Sequence, residues 1–254
     1  MTGWASALLR VHLACALSAT ALFWLAASMP KGGPAHRRAG RWFSRLIYAA
    51  GITGGLLAVA TLLAPSWVHL PDPALDEAAR AAATRQTRRL MWLVLYVLVI
   101  VLAPVQHGLA VVAAGPRPPA MRTWPHASLS LAAMLGTVIL LPLIVVWQEP
   151  TWLVLAPLGF AIGVRQLAYA ARPAATPVEW QREHLTSLIT AGVALHTTLF
   201  VFAVSRTLQW SLPGWRAWLP WVVPVLVGLP IMAWLRARHG RDGPGPSRHR
   251  DARA

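Results

Sequence analysis

LMWLVLYVLVIVLAPVQHGLAVVA, residues 90–113, decides the fold. It holds no Asp, Glu, Lys or Arg, and as an α-helix it extends about 36 Å, more than the roughly 30 Å hydrocarbon core of a bilayer. Outward from it, six further apolar stretches lack Asp and Glu, at 5–28, 46–64, 127–147, 151–170, 185–206 and 217–235. Backbone polar groups in lipid must be satisfied within the segment, so runs of this length are helices. The expected fold is all-α, a polytopic transmembrane bundle of seven spans occupying residues 1–235.

Composition agrees. The 254 residues are 56% hydrophobic and 12% charged, with a mean hydropathy of +0.51, too apolar for a soluble domain of this size. The formal charge of +15 is spread over short connections and the C-terminus, where orientation determinants sit, so nucleic acid is not the expected partner. Cys15 is the only cysteine, which excludes an intramolecular disulfide and CxxC metal sites. Beyond Leu235 the sequence turns to Arg, Gly, Pro, Ser, His and Asp. Residues 236–254 are expected to form a disordered basic tail.

Lys and Arg near span ends set orientation. With the N-terminus outside, fifteen basic residues fall on the cytoplasmic side and six outside, namely Arg80, Arg85, Arg88, Arg89, Arg206 and Arg216. Arg10 and Arg165 lie near span ends and can snorkel. The reading is N-terminus outside and C-terminus cytoplasmic. In the 65–89 connection, Asp72-Pro73 reads as an N-cap with Pro at the first helical position, so Ala74–Arg89 is expected to be helical and to run into the third span.

Small residues recur at intervals of four, at Gly51/Gly55, Gly159/Gly163 and Ser128/Ala132/Gly136, a spacing that lets helix backbones approach in lipid. Thr186, Ser187, Thr190, Thr197 and Thr198 form a polar stripe on span six, directed at the bundle interior. Prolines at 104, 142, 157, 224 and 230 are expected to interrupt helical hydrogen bonding.

Histidines carry the candidate chemistry. His12 in span one and His196 in span six differ in depth by about 6 Å, measured from the span midpoints. They are candidate ligands of a b-type haem, with His107 toward the inner end of span three as a third. His36, His126 and His184 lie at the inner rim with Glu179 and Glu183, but no HxxxH or ExxH cluster occurs. Arg37 and Arg38 beside His36 favour anions over cations, so no metal site is assigned. Lys31, His36, Arg37, Arg38 and Arg41 are the candidate anion site, with membrane lipid headgroups at the cytoplasmic face as the expected partner.

Lys31-Gly32-Gly33-Pro34-Ala35-His36-Arg37-Arg38-Ala39-Gly40-Arg41-Trp42-Phe43, after a first span containing His12, resembles the KGGxxHRxxGRxF signature of uncharacterised bacterial multi-span membrane proteins grouped as a domain of unknown function. Glu183-His184-Leu185 and Thr197-Thr198-Leu199-Phe200 are similar to the EHL and TAF elements of those proteins. The resemblance covers the first sixty residues and span six. It implies a multi-pass protein of the bacterial inner membrane, carries no established activity, and marks His12, the 31–43 loop and Glu183-His184 as positions of interest.

Two functional classes stay open. One is a histidine-ligated b-type haem or quinone redox protein; the other is a small transporter or channel-like protein, or a membrane assembly factor without a ligand of its own. The spans contain no carboxylate, which argues against a carrier coupled through Asp or Glu. Nucleophile elbow, metal-hydrolase motif and phosphate loop are all lacking, so hydrolase and transferase chemistry find no anchor.

Overall fold

The computed structural model describes residues 1–69, 74–204 and 214–241. Among these, seven long helices follow one another: α1 (Gly3–Ser28), α2 (Pro34–Leu63), α3 (Glu77–Ala114), α4 (Trp124–Trp147), α5 (Ala156–Ala171), α6 (Pro177–Leu199) and α7 (Leu219–Arg241). A π-helical segment, Phe200–Val204, continues α6, and a one-turn helix (Pro65–Val68) and short 3₁₀ turns complete the described chain, which contains no strand. Six helices are long and apolar enough to cross a membrane, the make-up of a multi-pass membrane protein; the apolar part of α7, Leu219–Trp234, is shorter.

Three helices begin well before their apolar runs. α2 opens at Pro34, so the basic residues 34–43 form its first turns rather than a loop. Gly32, at φ +75°, makes the turn, and Pro34 enters with its φ already helical. α3 opens at Glu77, where the Asp76 carboxylate accepts from Ala79 N at 2.7 Å. Asp76 is therefore the cap of this helix; the expected cap, Asp72-Pro73, lies outside the described residues. α6 opens at Pro177 behind a capping box, in which Thr176 Oγ1 accepts from Glu179 N and the Glu179 carboxylate accepts from Thr176 N. The fifth apolar span is Trp152–Ala171, but it opens on the 3₁₀ turn Pro150–Val154 and α5 starts at Ala156, so Pro157 lies in a first turn, where its missing N–H costs nothing, rather than interrupting a helix. Pro104, Pro142, Pro224 and Pro230 do lie inside helices. α7 continues helically to Arg241, past the expected start of the tail at 236; the rest of that tail is outside the described residues.

α3 is the centre of the bundle and packs against α2, α4, α5 and α6, while α1 lies on α2 and α7 on α6. Its Leu93, Val97 and Ile100 join Phe43, Ile47, Leu140, Ile162 and Leu195 in one buried core. α4 and α5 approach at backbone distance: a Cβ on Gly159 would stand 2.5 Å from Ala133 O, and one on Gly163 would collide with Ser130 O. Tyr96 locks this contact, since its hydroxyl bonds Ala156 O at 2.8 Å and Thr137 Oγ1 at 3.0 Å and accepts from Gly159 N at 2.9 Å. Large apolar side chains cover the outside, among them Leu63 and Val145, each 76% exposed, as a lipid-facing surface requires. The 29–33, 115–123 and 172–176 connections share one end of the bundle, called here the basic end.

Candidate functional site: a buried histidine, glutamate and arginine network

Near the basic end, α3, α4, α5 and α6 all contribute polar residues to a continuous chain of hydrogen bonds. His107 on α3 is fully buried (0% exposed). Its Nδ1 lies 2.8 Å from His126 Nε2 on α4, and its Nε2 lies 2.9 Å from Glu183 Oε1 on α6. Arg165 on α5 donates to the same Glu183 oxygen at 2.6 Å and to Ser187 Oγ at 3.2 Å. The edge of Tyr169 meets the His107 ring, with centroids 5.7 Å apart.

The partners assign the protons. Glu183, ion-paired with Arg165, is an acceptor, so His107 carries its proton on Nε2 and presents the Nδ1 lone pair to His126 Nε2–H. Both rings are then neutral, and the part-buried Glu183 carboxylate is ion-paired with the Arg165 guanidinium. Around the chain, Ser130 Oγ donates to Gln166 Oε1 at 2.8 Å, while Gln166 Nε2, Tyr169 Oη and Thr186 Oγ1 are buried without a hydrogen-bond partner among the described residues. Val111, Ala114, Met121, Ala170 and Ala175 form a buried cluster with Tyr169, beside the network.

Local structure explains the assembly. Pro177 and the capping box start α6 early enough to carry Glu183 almost two turns into the helix, level with His107. His184, the next residue, donates from Nδ1 to Gly108 O at 2.8 Å and fastens α6 to α3. Gly108 permits that approach, because a Cβ there would overlap Leu188. Arg122 closes the basic end by donating to the terminal carbonyls of α5, Ala170 O at 2.9 Å and Ala171 O at 2.7 Å.

The candidate haem ligands are not brought together. His12 bonds Ala50 O at 2.9 Å and packs on Gly54 of α2. His196 donates from Nδ1 to Gly192 O at 2.7 Å, and its Nε2 accepts from Trp24 Nε1 at 2.9 Å. Trp24 is twelve residues beyond His12 on α1, about 18 Å along the axis, so the two imidazoles stand at different levels and the expected closeness in depth is corrected. His107 belongs to the network described above.

The candidate anion set divides. Lys31 Nζ donates to Ala26 O at 3.3 Å and to Ala27 O, and His36 Nδ1 donates to Ala26 O at 2.9 Å, so both cap the end of α1. Partial burial there lowers the pKa of the Lys31 ammonium. Arg37, Arg38 and Arg41 instead line an open groove floored by Leu22, Leu25 and Met29. The rim histidines His36, His126 and His184 each bond a different partner, and among the described residues no group of three or more His, Cys, Asp or Glu is arranged to hold a metal ion.

A second feature touches the network. A crevice between α3, α5, α6 and α7, partly open and with a volume of about 170 Å³, has apolar walls including Ile100, Leu158, Ile162, Phe202 and Trp221, and Arg165 is the one charged residue among the described residues that line it. Of the expected polar stripe, Thr190, Thr197 and Thr198 border it, their hydroxyls donating back to Thr186 O, Val193 O and Ala194 O of α6.

Glu183 is the residue that hydropathy missed. The sequence signal was Thr176-Pro177-Val178-Glu179, a capping box with Pro at the first helical position, which starts the helix eight residues before its apolar run. No protein-family model, curated protein or solved structure matches the chain.

Proposed function

We propose that this is a seven-span protein of the bacterial inner membrane, N-terminus outside and basic end cytoplasmic, that relays protons through His126, His107 and Glu183. One observation carries the reading: a fully buried imidazole with a titratable side chain within hydrogen-bond distance of each ring nitrogen. Ionisable groups are costly inside a membrane protein, and their default role there is functional. A proton received at His126 Nδ1 releases the Nε2 proton to His107 Nδ1, and His107 Nε2 passes its proton to Glu183. Each transfer runs along an existing hydrogen bond of less than 3 Å; Glu183 must then release the proton toward the outer side, after which reorientation of the rings resets the chain. The cytoplasmic assignment rests on the Lys/Arg distribution. Arg37, Arg38 and Arg41 are proposed to hold anionic headgroups.

The test is proton flux into liposomes containing the purified protein, read with an enclosed pH dye under a potassium diffusion potential. Wild type is expected to carry protons, the His107→Gln and His126→Gln variants to lose most of the flux, and His12→Gln to retain it. Flux that survives both relay variants, or wild type as tight as empty liposomes, overturns the proposal.

A further inference from the structure

At the basic end, where the chain turns from α1 into α2, the two helices border an open groove of about 690 Å³. The volume falls within the roughly 300–1,000 Å³ of ligand-sized sites, enough to seat a headgroup and the upper part of its chains. Its lining is of two kinds: Leu22, Leu25, Met29 and Trp42 are apolar, and Arg37, Arg38 and Arg41 are charged. Among the described residues none of these three guanidiniums enters an ion pair, a side-chain hydrogen bond or a ring contact. The neighbouring cationic side chains are committed, Lys31 to the end of α1 and Arg45 to the face of Trp42 at 5.1 Å. No Asp or Glu occurs before Asp72, so neither helix of the groove supplies a counter-charge. Arg37 and Arg41 are four residues apart and Arg38 and Arg41 three, spacings at which like charges on a helix repel.

We propose that this groove binds one lipid of the cardiolipin class, two phosphodiesters joined by a single glycerol, with its phosphates on Arg37, Arg38 and Arg41 and its chains over Leu22, Leu25 and Met29. The proposal deepens the reading of these arginines as a headgroup site and does not depend on the relay. Charge complementarity selects the occupant. Guanidinium and phosphate form charge-assisted, often bidentate hydrogen bonds, but one phosphodiester carries one negative charge and leaves two of the three guanidiniums uncompensated. Two phosphodiesters leave only one, and because they are tethered the second contact forms at high effective concentration. The apolar floor distinguishes a lipid from a soluble phosphate, since only acyl chains cover Leu25, which is 45% exposed. Trp42, 49% exposed at the same level, is the residue type that sits among headgroups at a membrane border.

Native mass spectrometry of the full chain in neutral detergent tests this, by titration with tetraoleoyl cardiolipin and, at equal phosphate, with dioleoyl phosphatidylglycerol. Wild type is expected to bind one cardiolipin, about tenfold or more tighter than phosphatidylglycerol, as tethering implies. Combined Arg37→Gln, Arg38→Gln and Arg41→Gln substitutions are expected to weaken cardiolipin about a hundredfold, the sum of three surface cations acting on an anionic lipid. Should that variant fail to fold, Leu25→Trp, which fills the floor and spares every arginine, is expected to weaken it as well. Leu17→Trp, exposed on α1 outside the groove, is expected to bind as wild type. Deacylated cardiolipin, the same two phosphates without chains, is expected not to displace the lipid at equal concentration. Displacement by the deacylated compound, or Leu25→Trp binding as tightly as Leu17→Trp, would overturn the proposal. The two anionic lipids binding equally per phosphate, and both weakening in the arginine variant, would remove the selection for two phosphates and leave the headgroup site standing. Dioleoyl phosphatidylcholine binding as tightly as either would remove both.

Discussion

Gly159 and Gly163 lack side chains where the backbone of α4 already occupies the space. Gly159→Ala and Gly163→Ala are therefore expected to lower the melting temperature, at about 1–3 kcal/mol each for overpacking that a rigid carbonyl cannot relieve. Gly40→Ala is the control, since nothing lies within 4 Å of the added Cβ; three equal melting temperatures would mean that α4 and α5 do not touch here. Glu183 gives a contrast of another kind. Glu183→Ala leaves His107 and Arg165 without their shared acceptor, at a cost of about 3 kcal/mol, the low end for a broken buried pair because part of the guanidinium reaches the surface. Glu183→Gln keeps a carbonyl oxygen for both donors and is expected to melt closer to wild type. If the two variants melt together, the shared acceptor does not hold the helices. The individual residues of this site were only partly visible in sequence: His107 was singled out for its depth and His126 for its rim position, but hydropathy does not show that their rings meet.

At the level of the helices, apolar runs located every long element, because length and the absence of carboxylates are local properties. The helix expected over Ala74–Arg89 does run into α3, which opens at Glu77, whereas the starts of α2 and α6 were placed late for a common reason. Their first turns carry Arg, Glu and His at the membrane border, where a window of hydropathy falls although helical hydrogen bonding continues, and only caps mark the true boundary. In α6 this displacement hid the level of Glu183, a position the sequence had marked beside His184, because an α6 beginning at Leu185 leaves it in a loop. Thr176→Ala is expected to remove the cap and cost about 1 kcal/mol. Hydrogen exchange should show it as faster exchange confined to the first turns of α6, and proton flux should fall as Glu183 loses its fixed position. Thr176→Ser retains a hydroxyl and is expected to behave as wild type. Unchanged exchange in Thr176→Ala would mean that Pro177 and the tertiary contacts hold the helix start without the capping box.

The direction of the proposed proton movement is a property of the whole molecule: it depends on which way the bundle is inserted, while the side of the C-terminus depends on whether α7 crosses the bilayer. The apolar segment Leu219–Trp234 rises only about 24 Å, less than the roughly 30 Å core, whereas the full helix to Arg241 rises about 34 Å. Parity makes the question decidable. Six crossings leave both termini on one side, and seven put them on opposite sides. The N-terminus packs against the 65–68 turn, through Thr2 N to Val68 O at 3.0 Å, so it lies at the end opposite the basic connections. The Lys/Arg rule places those connections in the cytoplasm, and a seventh crossing brings the C-terminus there too. A cytoplasm-active reporter fused after Arg253 is therefore expected to be active, and an export-active reporter fused before Met1 is expected to be active as well. Activity of both on the outer side would mean that α7 lies along the surface, and it would take Trp221 and Phe202 from the interior wall of the crevice to its rim. Exchange of both activities would invert the bundle, so that His126 would receive its proton from outside and Glu183 would become the inward end of the relay.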